Sequence, residues 1–193
     1  MYAIIKDGAI TATGNIKQLF PNTSFAGGVA NADFKTAEGV MDIVQGERKD
    51  QKYYFVTEGN VELVDGVPTQ QYTNTAKRLT DEDAKDEDGN QVYVQVWDAN
   101  QNKMVDTSTK QINRGLKTIM TLEVKDTANK LLTSTDWMVI RKYERDVAIP
   151  SATATYRAAV ITECARLETA IADAANVDAL ATVMAGQDWP KED

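Results

Sequence analysis

Chemistry needs reagents, and this chain supplies few of them. Histidine is absent. That removes the usual general base near neutral pH and the commonest metal ligand. There is one cysteine, Cys164. A single thiol makes neither an internal disulfide nor a cysteine-based zinc site. It predicts a reducing compartment, or one in which oxidation is irrelevant to the fold. No familiar base is present to activate it, and its place on an apolar helical stripe predicts a buried structural thiol. Acids are plentiful in LTDEDAKDEDGN at 79–90, but a calcium loop needs oxygens at alternate positions, glycine at the sixth and glutamate at the twelfth. Asp86, Asp88 and Gly89 are out of that register. Asp98, Asn100 and Asn102 begin it, yet Lys103 and Thr109 stand at its sixth and twelfth positions. A solvated stalk and an ordinary turn are the expectation, with no metal and no cofactor. No carboxylate pair stands out for glycosidase chemistry. Gly27-Gly28 lacks the Lys-Ser/Thr of a phosphate loop. Arg141, Lys142, Arg145 and Arg157 offer an anion clamp, but Glu144 and Asp146 are interleaved, which predicts a salt-bridged surface.

What remains are groups that make contacts. Asp136, Trp137, Arg141, Tyr156, Arg157 and Trp189 are the candidate interaction residues, because aromatics and arginine anchor interfaces. For Trp137, Tyr143, Tyr156 and Trp189 a second reading stays open, in which they fill a small helical core. The balance of charge agrees with a protein partner. Across 193 residues, 29 acids face 21 bases, for a formal charge of −8. Phosphate contacts need Lys and Arg, so neither nucleic acid nor an anionic membrane surface is an expected partner. The apolar run in MYAIIKDG is too short for a signal peptide, and no stretch of about 18 apolar residues follows. A soluble protein that stays in the cell that makes it is expected. The NTS triplet at 22–24 then carries no glycan.

The elements that position these residues fall into an α+β pattern of three segments. Residues 1–79 read as an N-terminal antiparallel β meander. YAIIK and AITAT flank the turn signal Asp7-Gly8. NIKQLF is one helical turn, capped by Asn15 and stopped by Pro21. Residues 22–34 read as loop, and 40–44 as a strand. Turns are expected at Glu58-Gly59-Asn60 and Asp65-Gly66, with Pro68 starting or edging a strand. Residues 80–106 read as a β-hairpin, 91–106, inserted on a flexible acidic stalk. Residues 107–193 read as a C-terminal helical module. Its first part is one long amphipathic helix over 107–132, with a stripe through Ile112, Leu116, Ile119, Met120, Val124, Ala128 and Leu131. Gly115 inside it costs about 1 kcal/mol relative to Ala. At about 1.5 Å per residue that helix would span about 40 Å. Such length favours a partner helix or a second subunit, for example a homo-oligomeric trimer formed through 107–132. Pro150 fits a first turn. Tyr156, Val160, Cys164, Leu167 and Ile171 form a second stripe. Asn176 and Gly186 cap a third helix, after which Trp189 can fold back.

The order Leu131-Leu132, Thr135-Asp136-Trp137, Ile149-Pro150, Tyr156-Arg157 and Trp189-Pro190 resembles the C-terminal module of tail-fibre assembly proteins and tail assembly chaperones of tailed bacteriophages. MYAIIKDGAITATGNIKQLFPNTSF and GVMDIV also look like the leader of small marine-phage tail proteins. The resemblance covers about residues 1–45 and 131–190. It implies a non-enzymatic protein that binds a phage tail-fibre or baseplate protein and serves tail or tail-fibre assembly in the host cytoplasm. The added segment 80–130 suits equally a permanent virion component, a fibre-attachment or tip protein retained in the tail.

Overall fold

The computed structural model describes residues 1–191. The fold is α+β, with several small sheets and six α-helices among those residues. The chain divides into two compact units, Met1–Ala76 and a second that begins at Lys77.

In the first unit, β1 (Tyr2–Lys6) and β2 (Ala9–Gly14) pair antiparallel. Asp7 and Gly8 both take positive φ, 52° and 75°. That is the turn geometry which matches strand twist in a two-residue hairpin. The helical turn α1 (Ile16–Leu19) has a full capping box between Asn15 and Gln18, satisfying two otherwise orphaned N–H groups. The loop expected over 22–34 gives way at its end to α2 (Ala32–Ala37), capped by the Asn31 side chain. Phe20 and Phe25 meet Phe34 of this helix edge-on at 5.0 and 4.9 Å. They close over buried Ile16, Ala30 and Val40. The strand expected at 40–44 is two. β3 (Val40–Asp42) pairs antiparallel with β1, whereas β4 (Val44–Gln45) changes sheet. Gly39, at φ 65°, makes the approach to β1 possible, since a Cβ there would lie 2.3 Å from the Ile5 carbonyl oxygen.

β5 (Tyr54–Val64) and β6 (Val67–Ala76) form a long antiparallel hairpin about Asp65-Gly66. The turn expected at Glu58-Gly59-Asn60 is instead a register shift within β5. The Gln70 side chain reaches across to the Gly59 carbonyl at 2.6 Å and holds the irregular residues in the strand. Nor is the meander wholly antiparallel, because β4 pairs parallel with β6. Pro68 lies near the start of β6, before the Thr69–Gln70 positions that pair with β4. Its missing N–H therefore costs that ladder nothing.

In the second unit, β7 (Glu82–Asp83) pairs antiparallel with β10 (Ile112–Asn113). Between them project β8 (Tyr93–Asp98) and β9 (Lys103–Lys110), a two-stranded sheet. The long helix of the sequence reading is therefore shorter. α3 spans Leu116–Thr133, 18 residues or about 27 Å. Residues expected to form its first turns belong to β9, where Val105, Thr107 and Thr109 favour extended backbone. Gly115 is the N-cap of α3, outside its interior. A Cβ on it would lie 2.3 Å from the Thr80 carbonyl carbon. Its N–H donates to the Asp81 carboxylate at 2.7 Å, while the N–H groups of Leu116 and Lys117 donate to the carbonyls of Arg78 and Leu79. The first orphan donors of a helix need such acceptors, and here the preceding segment supplies them.

The expected flexible stalk is thus an ordered support. Asp81 caps α3, and the Asp86 carboxylate accepts from the N–H groups of Asp88 and Asn90 in a tight turn. α4 (Asp136–Arg145), α5 (Ser151–Asp173) and α6 (Val177–Ala185) complete the unit. The core stripes are Leu116, Met120, Val124 and Ala128 on α3, Val160, Leu167 and Ile171 on α5, and Val177, Leu180 and Met184 on α6. Ile112 and Ile119 of the expected stripe are exposed. The helix α3 is shorter than 107–132; its Leu116, Met120, Val124 and Ala128 are buried within its own unit, whereas Ile119 and Leu122 stay exposed. Asn176 caps α6 through the Ala179 N–H, and Gly186 follows as its C-cap.

Candidate functional site

Leu131, Leu132, Thr135, Asp136, Tyr156 and Arg157 of the motif meet at the joint between α3 and α4. A helix leaves its last carbonyls without partners and carries a partial negative charge there. α5 supplies what that end lacks. The Tyr156 hydroxyl donates to the Leu131 carbonyl at 3.3 Å, and Arg157 Nη1 donates to the Leu132 carbonyl at 2.9 Å. Nη1 also lies 2.6 Å from Oγ1 of buried Thr135, and Nη2 forms an ion pair with Asp136 at 2.9 Å. The Arg157 side chain is only 16% exposed. Three of the six candidates, Asp136, Tyr156 and Arg157, are therefore brought together as a clasp. Its guanidinium neutralises one helix end and fixes the start of the next.

The clasp presents α4 to solvent. None of its side chains is buried. Trp137 is 51% exposed, Ile140 58% and Tyr143 93%, with Val139 beside them. These residues make a contiguous apolar ridge. The Arg141 guanidinium lies over the Trp137 ring at 4.7 Å, and its buried Nε has no hydrogen-bond partner among the described residues. The core reading of Trp137 and Tyr143 is thereby corrected, since both stand on the surface. Tyr156 is partly buried. The expected salt-bridged surface holds for Lys142, which pairs with Asp146. It fails for Arg141, which stacks.

Trp189 lies apart from the ridge, in the C-terminal tail. It is partly buried, and its indole N–H donates to Gln187 Oε1 at 2.8 Å. The tail is held by Glu163, a buried acid that the stripe analysis missed. Glu163 accepts two bonds from Arg166 at 2.6 Å and one from the Asp188 N–H at 2.8 Å. The Arg166 bonds, aided by the Asp188 N–H, hold its carboxyl below the ordinary value despite burial. The signal was available in Glu163-x-x-Arg166, an i,i+3 pair in which the exposed Arg166 reaches back to the buried Glu163. Pro190 and Lys191 border an open cavity of about 460 Å³ beside the first turn of α5.

The remaining chemical candidates have ordinary roles. Cys164 is half-buried, and its Sγ lies 3.4 Å from Glu168 Oε1. Burial first, then Glu168, push its thiol pKa up, away from the thiolate form that reacts. Glu168 in turn pairs with Lys125 at 2.9 Å. Asp98 accepts from the backbone of Asn100 and Gln101 to shape the β8–β9 turn. Among the described residues no group of three or more acids or thiols is placed to hold a metal ion, and no helix is long and apolar enough to cross a membrane.

The arrangement is that of an α+β protein whose assembled side chains form contacts. No protein-family model, curated protein or solved structure matches the chain.

Proposed function

We propose that this is a non-enzymatic bacteriophage tail protein that binds tail-fibre or baseplate protein in the host cytoplasm and serves tail or tail-fibre assembly. One observation carries the reading: α4 is a ten-residue helix with no buried side chain and an apolar ridge of Trp137, Val139, Ile140 and Tyr143. Helices this short are marginal alone. They gain stability when such a face enters a groove on a partner. The Arg157 clasp supports the same reading, because it sets the direction of α4 before any partner arrives. Preorganisation of this kind lowers the entropic cost of docking. The ridge also lies within 131–190, where the resemblance to tail assembly proteins is carried.

The β8–β9 arm favours a second reading, a permanent virion component. Val96, Trp97 and Met104 leave its surface partly apolar and exposed, as suits a joint buried for the life of a particle. Quantitative mass spectrometry of purified particles beside the infected-cell lysate separates the two. An assembly factor is present in the lysate and missing from particles. A component is present in particles at a fixed copy number. If pull-downs with wild type and with Trp137→Ala recover the same fibre and baseplate proteins in equal amounts, α4 is not the docking surface.

A further inference from the structure

The two edges of the β8–β9 arm are built differently. β9 carries Lys103, Asp106 and Lys110, charges of the kind that blunt an open edge. Its course is also broken. Between the pairs Tyr93↔Lys110 and Gln95↔Asp106, β8 advances two residues while β9 advances four. The irregularity therefore lies in β9, and β8 stays a regular strand. Over Tyr93-Val94-Gln95-Val96-Trp97, β8 has no charge, no proline and no glycine. Among the described residues β9 is its sole strand partner, and alternate backbone groups of an antiparallel strand point away from the partner it has. Val94, Val96 and Trp97 are also exposed, Trp97 at 59%. An unguarded, regular, apolar edge is a template for another strand.

The sequence of β8 specifies which strand. We infer that β8 pairs antiparallel with β8 of a second copy, about a two-fold axis at Gln95. Such an interface must be complementary to itself. In this register Tyr93 faces Trp97 of the other copy, Val94 faces Val96, and Gln95 faces Gln95. One face gains two aromatic pairs and the other two valine pairs, the combinations that stabilise cross-strand contacts. No like charges are opposed. This matters for a chain of net charge −8, whose copies otherwise repel. The β9 edge offers no equivalent. The result is a four-stranded sheet in the order β9-β8-β8-β9. It gives the arm more strands than the two that are marginal in water.

The test is site-specific cross-linking of the full chain with sedimentation equilibrium. In a Cys164→Ser background, Gln95→Cys places two thiols opposite one another, with Cβ atoms about 5 Å apart. Mild oxidation then yields a disulfide dimer. Asp106→Cys, on the strand behind, leaves its thiols about three strand spacings apart, near 14 Å, and stays monomeric. The uncross-linked chain shows a concentration-dependent dimer between micromolar and about 100 µM. Gln95→Lys keeps its acidic neighbour Asp106 but opposes two cations at the axis, so association weakens several-fold. Mixing Gln95→Lys with Gln95→Glu restores it. A chain that remains monomeric throughout overturns the inference. Equal cross-linking at 95 and 106, or a dimer that does not cross-link at 95, overturns it as well.

Discussion

Replacing Arg157 by alanine tests the clasp directly. The side chain is 16% exposed and donates to the Leu132 carbonyl, to Thr135 Oγ1 and to Asp136. Two acceptors lie in a partly buried joint, and each lost charged hydrogen bond there costs about 1–1.5 kcal/mol. Asp136 is half exposed, so its ion pair adds at most about 1 kcal/mol. The cation at the end of α3 adds about 0.3–1 kcal/mol. The sum is about 2–5 kcal/mol against unfolding of the second unit. Trp97, Trp137 and Trp189 all lie in that unit, so urea titration followed by tryptophan fluorescence reports it selectively. Arg157→Lys keeps the charge without the planar fork and should recover about half the loss. Asp136→Asn should cost less than about 1 kcal/mol. An Arg157→Ala midpoint within about 0.5 kcal/mol of wild type refutes the clasp. Equal losses from Asp136→Asn and Arg157→Ala place the energy in the ion pair, not in the carbonyls.

Trp137→Ala should shift stability by less than about 1 kcal/mol, well under the roughly 3–5 kcal/mol of a buried tryptophan, because half of the side chain is in solvent. A larger loss in the same titration returns Trp137 to the core. Gly115→Ala should cost about 1–3 kcal/mol, since its Cβ would press on the Thr80 backbone; circular dichroism at matched urea would show the loss. Glu163 has a lowered carboxyl pKa. The stability it contributes is therefore complete above its ordinary value of 4.5 and is lost as pH falls below that toward the folded value. Glu163→Gln should flatten this acid limb in unfolding midpoints measured from pH 6 down to pH 2. An unchanged limb removes Glu163 as its source.

Local signals were the readable ones. Asp7-Gly8, Asp65-Gly66, the Asn15 box and the Asn176 cap each act over two to four residues, and each forms as its residue types imply. The stripes of α5 and α6 were legible because burial repeats at the helical period. The start of α3 was not. Ile112 falls in phase with Leu116 by coincidence, and the deciding facts are the Asp81 carboxylate and the Arg78 and Leu79 carbonyls, which lie more than 30 residues earlier in the chain. Gly115 looked like a flaw in a helix because its neighbour Thr80 is not adjacent in sequence. At the site, residue types picked out Arg157 and Tyr156, but not what they do. Spacing shows that two side chains share a face. It does not show that they reach the carbonyls of another helix.

The arm returns close to where it leaves. Ala84, Val92 and Gln111 exchange backbone hydrogen bonds at its root, and β7 and β10 zip its two ends together. Everything beyond that root is therefore a closed loop hung from a fixed point, and the cap of α3 lies on the near side of the knot. Doubling the length of such a loop adds only about 0.6 kcal/mol of closure entropy. Natural variation can lengthen, trim or replace the arm wholesale while the helices keep their start signal. The tip can therefore be rebuilt without touching the hydrogen bonds that start α3.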